Sequence, residues 1–506
     1  MERRPSMYRI FGPPGTGKTT RLLDMVDDAL ANDIPPDRIA FLAFTRKAAT
    51  EAKERAAERF GLSFDDLPFF RTLHSFAYRS LAIQKQDLMQ REHFDDLSEK
   101  IGIELNVTTN FNLEDDSPAA TMEHPVLGLI NLSRLKKTAL KSEYNGSLLE
   151  LPWLEVDYIE RAYSEYKKTH RLLDYTDMLA LFADEGPRIC PEFDFCFLDE
   201  AQDLSPLQWD IAHVLEGKSK KMYVAGDDDQ AIYRWSGADV EYFQSLDSGS
   251  EVLEQSYRIP RQVHALAQRI VSRIHRRFPK AYKPKPEDGT VQRLASIQEL
   301  DMSEGTWLIM AQANYMLSPV ALELKSLGFL FERNGSRSVS EKISLAINGW
   351  EQLRKGNQMS LPTVQAVYSY MSGNGGRIAR GHKKILADPD AAFNLTELQE
   401  GYGLLATDDM IWHEALDKLP ATDRAYITAL LRRGEKFNAK PRIRLSTIHQ
   451  TKGGEAESVV VFLDLTAAAL KGAPDDLHRV FYVAVTRTKQ DLYLVDPEDF
   501  SRAYDL

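Results

Sequence analysis

The sequence predicts an α/β protein built from two doubly wound parallel-sheet cores, each carrying a mainly helical insertion. Three observations predict it. From Tyr8 onward, short apolar runs of buried-strand type alternate with segments of helical spacing. That alternation breaks twice, from about Leu81 to about Asp184 and between Gly335 and about Lys440, and both breaks are mainly helical in pattern. At 506 residues the chain also exceeds what one hydrophobic core organises. The expected division is 1–80 with 185–247 as the first core, 81–184 as its insertion, 248–335 with 441–506 as the second core, and 336–440 as a second insertion.

Tyr8-Arg9-Ile10-Phe11 reads as a strand running into Gly12-Pro13-Pro14-Gly15-Thr16-Gly17-Lys18-Thr19-Thr20, which fits G-x-x-x-x-G-K-[ST]. Glycines let successive N–H groups point at phosphate oxygens, where a bulky Cβ would block the approach. Lys18 supplies a point charge to the outer phosphates, and the Thr19 hydroxyl is a ligand for Mg²⁺. Leu22, Leu23, Val26 and Leu30 recur at helical spacing, so the loop opens a helix whose N-terminus faces the phosphates. The stretch predicts binding of a nucleoside triphosphate.

The run from Arg38 to Phe44 is a second buried strand, with Thr45 as N-cap of an alanine-rich helix that exposes Lys47, Lys53, Arg55 and Arg59. Phe69 to Leu73 is a third strand, ending in Thr72-Leu73-His74-Ser75. The first insertion holds a loop near Asn106 to Pro118 and an amphipathic helix from Tyr158 to Lys168. Phe193 to Leu198 resumes the sheet before Asp199-Glu200-Ala201-Gln202-Asp203, and Met222 to Ala225 leads to Gly226-Asp227-Asp228-Asp229-Gln230. A second set of strands is expected at Val252-Leu253, Trp307 to Met310, Phe329 to Phe331, Ile443 to Ser446, Ser458 to Leu463 and Leu492 to Val495. A turn is expected at Gly373-Asn374-Gly375-Gly376 in the second insertion.

The formal net charge of −12 weighs mildly against nucleic acid as a partner, but placement matters more than the total. Arg258, Arg261, Arg269, Arg273, Arg276, Arg277, Lys280, Lys283 and Lys285 form a basic run with no carboxylate before Glu287. It reads equally as a strand-binding patch or as a solvated helix face. Cys190 and Cys196 make neither a disulfide framework nor a zinc site, and Cys196 in its apolar run reads as core. They point to a reducing, cytoplasmic compartment. The sequence has no apolar run of membrane length, so no membrane partner is expected.

A strand ending in Asp199-Glu200 supplies the second half of a nucleotide hydrolase: Asp199 for the Mg²⁺ shell, Glu200 to orient or deprotonate the attacking water. With that pair in place, the chain resembles the superfamily 1 helicases of the UvrD/Rep/PcrA type along both cores. GPPGTGKTT resembles motif I, FLAFTRKAA Ia, RTLHSFAYR Ib, FLDEAQD II, AGDDDQAIYRWSGAD III, LEQSYR IV, LSTIHQTKGGEAE V and FYVAVTRTK VI.

The resemblance implies two RecA-like cores that close on Mg-ATP and open after hydrolysis. It implies that Gly12 to Thr20 cradle the phosphates, Thr19 and Asp199 hold Mg²⁺, Lys18 and Glu200 serve hydrolysis, and Gln230 senses the γ-phosphate. Arg258 and Arg487 match the arginine fingers, Tyr257 the residue that stacks on adenine, and Glu455 the one that contacts ribose. Phe44, Thr45, Thr72, His74, Tyr233, Trp235, Thr447 and His449 match strand-binding positions, where aromatic rings stack on bases whatever the sequence. Only Met1 to Phe11 precede Gly12, and none is the glutamine with which the family reads adenine. Motif V reads KGGEAE where the family has KGLEF, so Gly454 is expected to remove an apolar anchor and loosen that loop. The shortened second insertion, with no long tail after Leu506, resembles a compact, phage-type member.

The implied activity is a DNA-stimulated ATPase that translocates 3′ to 5′ on single-stranded DNA and unwinds duplex at single-strand/duplex junctions, with protein partners met through the insertions. The alternative is a strand translocase, or the motor subunit of a larger complex that unwinds little alone. A nucleotide-gated DNA-binding switch is a third reading, disfavoured by intact Glu200, Gln230, Arg258 and Arg487.

Overall fold

The computed structural model describes residues 7–43, 46–107, 124–384, 388, 390–497 and 499–506. The chain divides into two compact units, one running to Asp288 and including Gly472–Thr486, the other comprising Gly289–Lys471 and Arg487–Leu506.

Among the described residues, the strands of the first unit are β1 (Tyr8–Phe11), β2 (Ile39–Ala43), β3 (Phe70–Thr72), β4 (Phe193–Leu198), β5 (Ser219–Gly226) and β6 (Ser250–Val252). They form a parallel sheet in the order β3-β2-β4-β5-β1-β6. Helices cover both faces, which is why β2 is apolar at every position. Ile39, Phe41 and Ala43 pack with Leu22, Leu23 and Val26 of the helix Lys18–Ala31. Ala40 and Leu42 face the opposite core, with Phe182 and Ile211. Cys196 lies in that second core, and both cysteines are buried free thiols.

One strand is corrected. Val252-Leu253 was expected to open the second core, but β6 pairs with β1. The Arg9 N–H donates to the Gly249 carbonyl at 2.9 Å, and the Leu253 N–H donates to the Phe11 carbonyl at 2.9 Å. A two-residue apolar signal carries no information about which sheet it joins.

Helices Arg91–Ile101, Pro125–Leu135, Leu140–Gly146 and Trp153–His170 enclose a core of their own around Phe94, Leu97, Val126, Ile130, Val156 and Tyr163. The helix expected at Tyr158 to Lys168 is the middle of Trp153–His170. The loop expected near Asn106 to Pro118 lies largely outside the described residues. Asp174 fastens these helices to the sheet unit. Its carboxylate accepts from Arg134 at 2.6 Å, Lys167 at 2.5 Å and the Tyr163 hydroxyl at 2.9 Å. It also caps the helix Tyr175–Ile189 by accepting the Asp177 N–H at 2.7 Å.

The second unit contains β7 (Thr290–Leu294), β8 (Trp307–Ala311), β9 (Phe331–Arg333), β10 (Ser336–Arg337), β11 (Met359–Ser360), β12 (Ala392–Phe393), β13 (Ile443–Thr447), β14 (Ala456–Phe462) and β15 (Thr488–Val495). Its main sheet runs β10-β9-β13-β8-β14-β15-β7 and is parallel apart from β10, while β11 and β12 form a separate antiparallel pair. β7 escapes sequence reading because it is a partly exposed edge strand with few apolar residues. Helices Glu341–Leu353, Leu361–Ser369 and Ala421–Arg432 share one continuous core with this sheet, joining Trp350, Val364 and Ile427 to Ile309 and Leu445.

Candidate active site

Because β1 to β6 are parallel, the loops that follow them all leave the same edge of the first sheet. Ligands of open α/β sheets bind outside the carboxyl ends of the strands. Along that edge lie Thr72 and His74 after β3, then Asp199 and Glu200 after β4, Asp227 to Gln230 after β5, Gly12 to Thr19 after β1, and Tyr257 and Arg258 beyond β6. Phe44 and Thr45, which follow β2, lie outside the described residues.

The phosphate loop is tied to the sheet where the Gly12 N–H donates to the Gly226 carbonyl at 3.0 Å. Within it, the Thr16 N–H and hydroxyl both reach the Pro13 carbonyl, at 3.2 and 2.8 Å. Gly15 and Gly17 take φ of 71° and 77°, which glycine adopts without a Cβ penalty. Gly17 caps the helix Lys18–Ala31, whose first N–H groups have no intrahelical carbonyl to meet. Gly12 is needed for space, since a Cβ there would lie 2.6 Å from the Lys18 Cβ. Thr20 is exposed, with Arg55 donating to its hydroxyl at 3.5 Å.

The segment Ser256-Tyr257-Arg258 folds against this loop. The Ser256 hydroxyl donates to the Pro14 carbonyl at 2.8 Å, and the Tyr257 N–H donates to the Gly15 carbonyl at 2.8 Å. Ser256 is wholly buried, whereas the Tyr257 ring is 76% exposed and open to stacking.

The carboxylates of Asp199 and Glu200 face the loop. Lys18 Nζ lies 2.5 Å from Glu200 Oε1 and 3.4 Å from Asp199 Oδ1, and the Thr19 hydroxyl donates to Asp199 Oδ2 at 2.8 Å. Burial pulls the Lys18 ammonium down, but Glu200 and Asp199 outweigh it and hold its pKa above the ordinary value. Burial raises the Asp199 carboxyl above the usual range, against the pull of Lys18. Glu200 adopts left-handed backbone at φ 56°, uncommon for a residue with a Cβ and typical of positions held for function. A hydroxyl and a buried carboxylate in contact at 2.8 Å suit an oxygen-seeking, six-coordinate cation, so Thr19 and Asp199 fit Mg²⁺.

Gln202 joins this pair to the next loop. Its Nε2 donates to Glu200 Oε2 at 2.5 Å, and its Oε1 accepts the Asp227 N–H at 2.9 Å. Gln230 Nε2 in turn donates to Asp227 Oδ2 at 2.7 Å. Asp227, Asp228 and Asp229 approach closely enough to suggest a cation site, but the Lys280 ammonium stands among them at 3.1, 2.5 and 2.7 Å. Arg277 adds a two-pronged contact to Asp229 at 2.8 and 2.7 Å. Arg277 and Lys280 are thus neither strand-binding cations nor a solvated face; they neutralise buried carboxylates.

The expected strand-binding residues differ in setting. Thr72 caps the helix Leu73–Ser80, accepting the Ser75 N–H at 3.2 Å. His74 is half-buried, edge-on to Tyr175 at 5.7 Å, and burial pushes its pKa down to about 4, so it is neutral near pH 7. Tyr233 is half-buried, while Trp235 is 60% exposed with its ring 6.5 Å from Tyr233.

In the second unit the expected residues fall at opposite edges of the sheet. Thr447 ends β13 and accepts the Gln450 N–H at 3.4 Å, with His449 in the turn that follows, its pKa lowered by burial and by Lys452. Glu455 and Arg487 precede β14 and β15 and so lie at the amino edge, where the Ala456 N–H donates to the Arg487 carbonyl at 3.2 Å. Glu455 is paired with Lys489 at 2.5 Å, and Arg487 is buried with Nη1 3.5 Å from the Gly454 carbonyl. At Gly454 the N–H donates to the Thr451 carbonyl at 2.7 Å, and a Cβ would lie 2.9 Å from Arg444 Nη2, the far end of a flexible side chain.

Sequence reading passed over Gln202, Ser256 and Lys280. The first two stand inside quoted motifs, where their polar side chains were signal enough. Lys280 stood undistinguished in a basic run.

The UvrD/REP helicase N-terminal domain matches residues 5–250, and the UvrD-like helicase C-terminal domain matches residues 442–495. The ATP-dependent DNA helicase PcrA of Bacillus subtilis (strain 168) is 24% identical over 352 residues, covering 65% of this chain and 46% of that protein. PcrA of Leuconostoc citreum is 24% identical over 420 residues, covering 79% and 53%. The chain spans about half the length of these relatives. Among solved structures, the Arterivirus nonstructural protein 10 (helicase) aligns with a TM-score of 0.34 at 12% identity, covering 98% of this chain and 60% of that one. With a phosphate loop, an Asp-Glu pair and a glutamine turn on one sheet edge, and with both domain matches in their order along the sequence, the chain belongs to the UvrD/Rep family of superfamily 1 helicases.

Proposed function

We propose that this chain is an ATP-driven motor that moves 3′ to 5′ along single-stranded DNA and separates duplex ahead of it. One observation carries the proposal: Lys18 meets Asp199 and Glu200, and Thr19 meets Asp199, at the edge where the remaining loops of the first sheet emerge. ATP is the substrate, its phosphates received by the N–H groups of Gly12 to Thr20. Thr19 and Asp199 would hold Mg²⁺, which would supply positive charge against the phosphates. Lys18 leaves the carboxylates for the phosphates, freeing Glu200 to orient or accept a proton from the attacking water. Gln230 meets the γ-phosphate, and Arg258 and Arg487 stabilise charge developing on it. Trp235, exposed as a stacking ring must be, engages the bases. A cytoplasmic location and contact with other proteins through the inserted segments belong to this reading.

The test is ATP hydrolysis with and without single-stranded DNA, followed by unwinding of duplexes bearing a 3′ or a 5′ tail. Stimulation by the strand and opening of the 3′-tailed duplex alone are expected. Lys18→Ala should abolish hydrolysis and spare much of the strand binding. Stimulation without opening would favour a translocase or the motor subunit of a complex. No hydrolysis at all would sink the motor.

A further inference from the structure

Gln230 is aimed by Asp227 at the start of its own turn, and Asp227 is in contact with Lys280 from outside it. The Gln230 Nε2 donates to Asp227 Oδ2 at 2.7 Å. Burial and the carboxylates of Asp229 and Asp228 raise the Asp227 pKa against the pull of the Lys280 ammonium; as the acceptor beside that ammonium, Asp227 takes the Nε2 end of the amide and turns Oε1 the other way. The other Asp227 oxygen lies 3.1 Å from Lys280 Nζ and accepts the Asp229 N–H at 3.2 Å.

Lys280 is itself rigidly held. Its side chain is 1% exposed, with Nζ 2.5 Å from Asp228 Oδ1 and 2.7 Å from Asp229 Oδ2. Asp228 also accepts the Phe278 N–H at 2.6 Å and Gln244 Nε2 at 2.8 Å. Two residues before Lys280, the Phe278 ring stacks on Phe11 with centroids 4.0 Å apart and planes 6° from parallel. Phe11 is the last residue of β1, immediately before the phosphate loop. The segment from Arg277 to Lys280 therefore joins the root of that loop to the turn bearing Gln230.

We propose that Lys280 is a positioning residue for ATP hydrolysis, acting through Asp227 to set the orientation of the Gln230 amide. The proposal rests on the motor reading given above. A knot that only stabilised the fold would act on every property of the unit alike. A positioning role acts through Gln230, and it disappears when that amide is gone.

The experiment is a double-variant cycle on DNA-stimulated ATP hydrolysis. Lys280→Met removes the ammonium. Because that leaves buried carboxylates unbalanced, Lys280→Met with Asp228→Asn is made alongside it, and folding is checked by circular dichroism. Each folded Lys280 variant and Gln230→Ala are expected to lower kcat at least about tenfold, with KM for ATP within about threefold. Adding the Lys280 change to Gln230→Ala should lower kcat by no more than a further factor of about two. A folded Lys280 variant with parental kcat, or losses that multiply in the combined variant, would overturn the proposal. A parent chain that hydrolyses no ATP would instead overturn the motor reading, and this assignment with it.

Discussion

Gly15 and Arg258 approach so closely that a Cβ on Gly15 would lie 2.4 Å from the Arg258 Cβ. The contact brings the segment bearing Tyr257 against the phosphate loop, and the same glycine sits at φ 71°. Gly15→Ala therefore combines a left-handed backbone penalty with a clash on a neighbour fixed by its backbone. The expected loss is about 2–4 kcal/mol in urea unfolding, with weakened nucleotide binding. A variant as stable as the parent would show that Arg258 moves aside freely.

His74 gives a pH signature. Its pKa in the folded chain is about 4, against an ordinary 6.5, because burial disfavours the imidazolium. The unfolded chain therefore binds the extra proton first. This contribution is fully present above pH 6.5 and lost as pH falls towards 4, by up to about 3 kcal/mol. His74→Gln should remove that part of the acid limb. Parallel profiles for parent and variant between those limits would refute it.

Asp174 holds Arg134 and Lys167 while capping a helix. Asp174→Ala leaves Arg134 and Lys167 their contacts with Asp177, to Lys167 at 2.6 Å, and removes the cap, for an expected loss of about 2–4 kcal/mol. Chemical denaturation measures it. A loss under about 1 kcal/mol would mean that Asp177 alone satisfies both cations.

Trp235 should behave in the opposite way. At 60% exposure it contributes little packing, so Trp235→Ala is expected to change stability by less than about 1 kcal/mol. Affinity for single-stranded DNA should fall by about 1–3 kcal/mol, read by fluorescence anisotropy, and unwinding should fall with it. Unchanged strand affinity would remove Trp235 from the interface.

The sheets were legible where strands are buried on both faces. Ile39–Ala43 and Trp307–Ala311 stand out as unbroken apolar runs, and Phe193–Leu198 is interrupted only by Asp194. At β6 a strand was legible but its sheet was not, and β7 was not legible, because edge strands lack that signal and pairing partners lie hundreds of residues away in sequence. At the site, Lys18, Thr19, Asp199 and Glu200 were legible because their spacing is dictated by phosphate and metal chemistry. The role of Lys280 was not, since it depends on a carboxylate cluster about fifty residues upstream and on a ring stacked on Phe11. Thr72 shows the converse: a position expected at the strand also caps its own helix.

Gly226 and Gln202 have a consequence for how this sequence can vary. A Cβ on Gly226 would lie 2.5 Å from Gln202 Oε1, the atom that takes the Asp227 N–H. Any residue but glycine at 226 would push that amide away and release Glu200 at its other end. Glutamate at 202 would fit by shape yet set a carboxylate against Glu200, and leucine would leave the Asp227 N–H buried without an acceptor. Positions 202 and 226 thus behave as a single inherited choice. In a library that randomises both, functional clones should return the Gln-Gly pair together or replace both members at once.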